Sequence, residues 1–201
     1  MVKQTKGYIL LVLLVITGLA SQVPKQTLTG KERKNLTTHL KDSKAAFLLA
    51  IQDLSPEQLS FTPDNYFSIK HIIQQQAFTE KMLWQIADSA VERTKSNNEY
   101  NKPNENVFSQ NVLITNGQLL DPTGYKNAQK FSAERAQKIF AANRNKLIKY
   151  VKTTTDDARH HWAQTPLGQA SIYQTLIAAA DATTFYIEQI NAIKSDPHFP
   201  K

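Results

Sequence analysis

Ser68-Ile-Lys-His-Ile-Ile-Gln-Gln-Gln-Ala-Phe-Thr-Glu-Lys-Met-Leu-Trp84 sets apolar residues at three- and four-residue steps and breaks them with three consecutive amides. The spacing predicts an amphipathic helix from Ser68 to about Arg93, with Ile69, Ile72, Ile73 and Leu83 turned to a core. Three successive helical positions sweep about 200° of surface at roughly 100° each, so at least one of Gln74, Gln75 and Gln76 lies on or beside that apolar face. A buried amide needs a partner or a pocket, because leaving it unpaired costs about 1–3 kcal/mol.

Three further segments carry the same period. Thr29-Gly-Lys-Glu32 has capping-box spacing, and Leu36, Leu40, Phe47, Ile51 and Leu54 form one stripe of a helix running to about Asp53. Ser55-Pro56-Glu57 starts a short turn. Ser132 is a plausible N-cap for a helix to about Thr153, with Ala136, Ile139, Phe140, Leu147 and Val151 as its stripe and Asn143 interrupting it. A last helix from about Ala170 to Lys194 carries Ile172, Leu176, Ala180, Ile187 and Ile190 on one face. Four amphipathic helices without a sustained alternating stretch predict an all-α four-helix bundle. Residues 94–130 form the longest irregular stretch, with Asn116-Gly117 and Asp121-Pro122 as turn signals and Val107–Ile114 as a short strand or docked loop. Thr154–Gln169 reads as a connector.

The chain opens as an export signal. Met1–Lys6 holds two lysines and no acid, Gly7–Leu19 is nearly all apolar, and Gly18-Leu19-Ala20 offers small residues for cleavage near Ala20. The apolar run is short for a span of about 20 residues; an uncleaved anchor is the competing reading. Cleavage predicts an exported protein, periplasmic or extracellular, with no stable membrane anchoring. It also removes Lys3 and Lys6, so the net charge of +7 becomes +5. The remaining basic residues are scattered, with none of the dense basic and aromatic patch a nucleic-acid binder needs. The absence of cysteine excludes disulfides, thiolate metal sites and thiol nucleophiles. No glycine-rich phosphate loop is present.

The order of features resembles the DinB-like (DinB/YfiT) superfamily over about residues 28–201. Leu54-Ser-Pro-Glu-Gln-Leu-Ser-Phe-Thr-Pro63 is similar to its opening motif, and Phe67-Ser-Ile69 stands where the family has Trp-Ser-Ile. Phe140–Val151 is similar to its third helix, and Tyr173-Gln174, Glu188-Gln-Ile190 and Ser195–Lys201 to its fourth helix and tail. The resemblance implies a four-helix bundle with a long crossover, for which residues 94–130 are the candidate, and often a homodimer. It also implies a divalent metal on three histidines, one seven residues after the serine of Trp-Ser-Ile and two spaced four apart on the last helix. The matching positions here are Gln75, Ala182 and Tyr186. An amide is a poor ligand, a methyl none, and a phenol good only when deprotonated.

The resemblance without its triad therefore implies no metal and no other cofactor. His71 lies one turn before Gln75, so His71, Gln75, Ala182 and Tyr186 are the candidate lining of a small-ligand pocket; alternatively, Gln75 and Tyr186 form a polar tie between helices. The expected function is a non-catalytic or small-ligand-binding bundle. The alternative is a metal-dependent transferase or hydrolase whose site has moved to His71, Asp181 and His160 or His161. Thr79-Glu80 and Asp181 hint at a carboxylate pair, but acids on amphipathic helices are usually solvated.

Overall fold

Each well-defined helix start is a hydroxyl that accepts from the first turn. A computed structural model describes residues 28–64, 67–96, 126–127, 129–165 and 168–201. Helix α1 (Gly30–Ala50) opens on the Thr29/Glu32 capping box, with Thr29 N–H donating to Glu32 Oε2 at 2.9 Å. It stops short of the expected Asp53: Ile51 is its C-cap, and Asp53 turns into the left-handed region at φ 56°, which a short polar side chain tolerates. The expected turn after it is a helix, α2 (Pro56–Ser60), because Ser55 and Gln58 form a second capping box and Pro56 supplies a pre-set φ at the first position. Helix α3 spans Ile69–Ser96, its first turn closed by His71 N–H donating to Ser68 Oγ at 3.2 Å. Helix α4 (Ala133–Thr153) begins at Ser132 as its sequence predicts, and α5 (Ile172–Lys194) begins at a Ser171/Gln174 capping box.

The connector before α5 is more ordered than its sequence suggests. Strands β1 (Trp162–Thr165) and β2 (Gly168–Ser171) pair antiparallel, Trp162 opposite Ser171 and Thr165 opposite Gly168. Four-residue strands are too short to leave a readable alternation. The described part of the chain is thus mostly helical, with one small hairpin. The expected signal at residues 1–20 and strand or loop at 107–114 lie outside the described residues, as does most of 94–130.

The four long helices pack α1 on α4, α4 on α3, α3 on α5 and α5 on α1. Their contacts fix the directions. Arg33 donates to the Val151 carbonyl while Phe47 meets Phe140, so α1 and α4 run antiparallel. His39 pairs with Asp181 and Lys194 donates to the Ala50 carbonyl, so α1 and α5 run parallel. Gln74 reaches Phe131 and Trp84 meets Tyr150, so α3 and α4 run parallel. The apolar interior falls into two clusters. One is centred on Leu40, Leu83, Leu147, Leu176 and Ala180, the other on Phe47, Ile73, Ala77, Phe140, Tyr186 and Ile190. On every long helix a polar residue separates them: Ser43, Glu80, Arg144 and Thr183, all buried.

Candidate functional site

Arg144 and Glu80 lie at the centre of that polar layer, both side chains 0% exposed. Arg144 follows Phe140 by four residues and precedes Leu147 by three, so helical geometry delivers it to the apolar face of α4. Glu80 stands likewise between Ala77 and Leu83 on α3. The pair is bidentate: Arg144 Nε donates to Glu80 Oε1 at 2.6 Å and Nη2 to Oε2 at 2.9 Å. Nη1 donates to the Leu40 carbonyl (3.1 Å) and Ser43 Oγ (2.7 Å) of α1. Nη2 also donates to the Ala179 carbonyl (2.7 Å) and Thr183 Oγ1 (2.6 Å) of α5. One guanidinium therefore ties all four long helices, and the Phe140 ring lies 5.2 Å from its carbon.

Burial pushes the Glu80 carboxyl above the ordinary range, and the guanidinium opposes that shift. The carboxylate is nonetheless the charged partner at neutral pH. Arg144 cannot give up its proton, and a neutral Glu80 would leave an uncompensated cation in the core.

Gln76 extends the layer. Its Nε2 donates to Thr183 Oγ1 at 2.9 Å and approaches Glu80 Oε2 at 3.5 Å. Thr183 gives its own hydrogen to the Ala179 carbonyl at 2.9 Å, so its oxygen must accept from Gln76, which fixes the amide's orientation. Gln76 Oε1 is then buried without a hydrogen-bond partner. One helical turn away, Thr79 Oγ1 and Tyr186 OH share a hydrogen bond of 3.3 Å, and burial pushes the Tyr186 phenol up to about 12.

The candidate residues divide. Gln74, Gln75 and Gln76 are all buried, at 4%, 4% and 0% exposure, so the whole amide triplet, not one member, faces inward. Gln74 donates to the Gln129 and Phe131 carbonyls at 3.1 and 2.6 Å, anchoring the chain that enters α4. Ala182 and Tyr186 are each 3% exposed. The expected tie from Tyr186 to Gln75 is not made: its partner is Thr79. Side chains on α5 lean toward that helix's N-terminus, which carries the Tyr186 hydroxyl one turn along the oppositely directed α3. His71 is half-buried and stacks on Phe67, with centroids 4.1 Å apart and planes at 6°; its burial lowers the imidazole pKa.

The relocated metal set is not assembled. Asp181 pairs with His39 at 3.3 Å on an exposed face, and His160 Nδ1 lies 2.7 Å from Asp157 Oδ2. Among the described residues no three His, Asp or Glu side chains are grouped to hold a metal ion. The expectation that Glu80 is solvated is wrong, because its partner, 64 residues away, compensates the charge inside.

The arrangement is closed chemically. Both oxygens of Glu80 and all three nitrogens of Arg144 are engaged, and neither side chain reaches solvent. It fits mechanical cross-linking of helices better than proton transfer to a solute. No protein-family model, curated protein or solved structure matches this chain.

Proposed function

We propose that this protein is an exported four-helix bundle of the DinB-like kind that holds no metal and catalyses no reaction at its centre, and that acts by binding a small molecule. The observation that carries the reading is the sealed Arg144–Glu80 pair. The polar interior is occupied by a fully engaged ion pair spanning four helices, not by an open ligand set. The helix directions support the bundle: parallel neighbours such as α3 and α4 require a long crossover rather than a tight turn. The three resemblance-implied ligand positions support the absence of metal. Gln75 and Ala182 offer no good donor, and a phenol held up to about 12 resists the deprotonation that coordination requires.

Metal analysis of purified wild-type protein and of the triple variant Gln75→His, Ala182→His, Tyr186→His tests the reading. The expected result is no stoichiometric metal in the first and zinc or nickel binding in the second. Stoichiometric metal in the wild type sinks the reading. Failure of a folded triple variant to bind refutes the correspondence of α3 and α5 with the DinB-like ligand helices.

A further inference from the structure

Helices α3 and α4, with Asn127 and Phe131 ahead of α4, line a groove to whose described lining α1 and α5 contribute no residue. Its first part is a cavity of about 460 Å³ walled by Ala77, Phe78, Phe131, Ile139 and Ala142, within the range of about 300–1,000 Å³ that small-molecule sites occupy. Among the described residues of its lining, Lys81 carries the charge. Asn143 also borders it, with one of its two amide hydrogens donated to the Ile139 carbonyl at 3.1 Å. One to two turns further along the same pair lies a second cavity of about 380 Å³, lined by Trp84, Tyr150, Lys146 and Lys149. The Lys146 ammonium sits 5.9 Å from the Trp84 ring, and the Arg135 guanidinium 4.6 Å from the Phe131 ring. Among the described residues, the linings of both cavities thus combine aromatic and aliphatic walls with three lysines and no acid.

We propose that this groove binds an amphipathic monocarboxylate, its acyl or aryl body in the cavity beside Phe78 and Phe131 and its carboxylate at Lys81. The charges of the described lining select the occupant: Lys81 in the first cavity and Lys146 and Lys149 in the second favour an anionic head group over a cationic one with the same tail. The proposal gives the small-molecule reading above its site and ligand class, and rests on it in that respect alone.

Calorimetric titration of the full-length protein with decanoate, and with decyltrimethylammonium as the cationic control, tests it. Decanoate is expected to bind saturably at one site and the cation at least tenfold more weakly. Lys81→Gln removes one exposed charge and should weaken decanoate about threefold to fivefold. Ala142→Leu crowds the cavity from an exposed position on its rim and should weaken binding at least tenfold; circular dichroism checks that it folds, with Ile139→Ala, which enlarges the cavity, as the second variant. Absence of saturable binding overturns the proposal, as does affinity indifferent to these substitutions or to the sign of the head group. A chemical cross-link from Lys81 to the chain's own residues 97–125, without decanoate binding, assigns the groove to the chain itself and also overturns it. Metal in the wild-type protein would sink the non-metal reading and leave this result untouched, so the two failures are distinguishable.

Discussion

Replacing Arg144 and Glu80 singly and together separates a structural tie from an incidental buried pair. Arg144→Met strands a carboxylate that is 0% exposed, and Glu80→Met strands a guanidinium that is equally buried. Each single change should cost about 3–5 kcal/mol, the usual penalty for leaving one member of a buried pair. The double change strands little. The Leu40 and Ala179 carbonyls lie within α1 and α5 and retain their helical bonding. Thr183 still donates to Ala179 and accepts from Gln76. Two methionines also suit the apolar clusters on either side of the layer. The double variant should therefore be much less destabilised than the sum of the singles, with an interaction energy of at least about 2 kcal/mol. Urea unfolding followed by far-UV circular dichroism measures this, each variant compared at an unchanged m-value. If a single variant is too unstable to purify, Glu80→Gln keeps one acceptor and reports the same sign. Single changes costing under about 1 kcal/mol, or a double equal to their sum, would refute the reasoning.

The glutamines should behave unequally: Gln74→Leu loses two hydrogen bonds to the chain entering α4 and should cost about 1–3 kcal/mol. Gln76→Leu exchanges one bond to Thr183 for removal of an unpartnered buried oxygen and should stay within about 1 kcal/mol of wild type by the same unfolding assay. Alkaline titration should destabilise the fold through Tyr186 and Tyr150. Burial raises both phenols to about 12 from 10.0, so the stabilisation is fully present below pH 10 and is lost as pH rises through about 12. For the fully buried Tyr186 the rise from 10.0 to about 12 corresponds to about 3 kcal/mol; Tyr150 is half-buried and contributes less. Tyr186→Phe should flatten most of that dependence, as measured by melting temperature against pH.

The helix starts and stripes were legible because they are local. A hydroxyl three residues before a carboxylate at Thr29, and the cap at Ser132, act within one turn. The end of α1 was not, since Asp53 enters the left-handed region only where the chain turns toward α2. The β1–β2 hairpin escaped because four-residue strands carry almost no periodic signal. At the site, helical geometry required at least one of Gln74–Gln76 to face inward, but neither the burial of all three nor their pairings were readable. Whether Tyr186 meets Gln75 or Thr79 depends on the relative stagger of α3 and α5, to which no local pattern refers. Arg144 and Glu80 do leave a signal in the sequence. Each fills the gap in its helix's apolar stripe, Phe140–Arg144–Leu147 and Ala77–Glu80–Leu83, and the two charges are opposite. Read together, they predict a buried pair; read singly, each resembles an ordinary solvated charge.

The Nε–H of Arg144 reports directly on whether the protein is built around a sealed tie. In a ¹⁵N-resolved NMR spectrum its resonance should be distinct from those of the other arginines. Its solvent exchange should be as slow as that of the best-protected core amides of α4 and α5, since only global unfolding exposes it. Exchange as fast as that of an exposed arginine would mean that water or solute reaches the centre of the molecule, and would contradict the account.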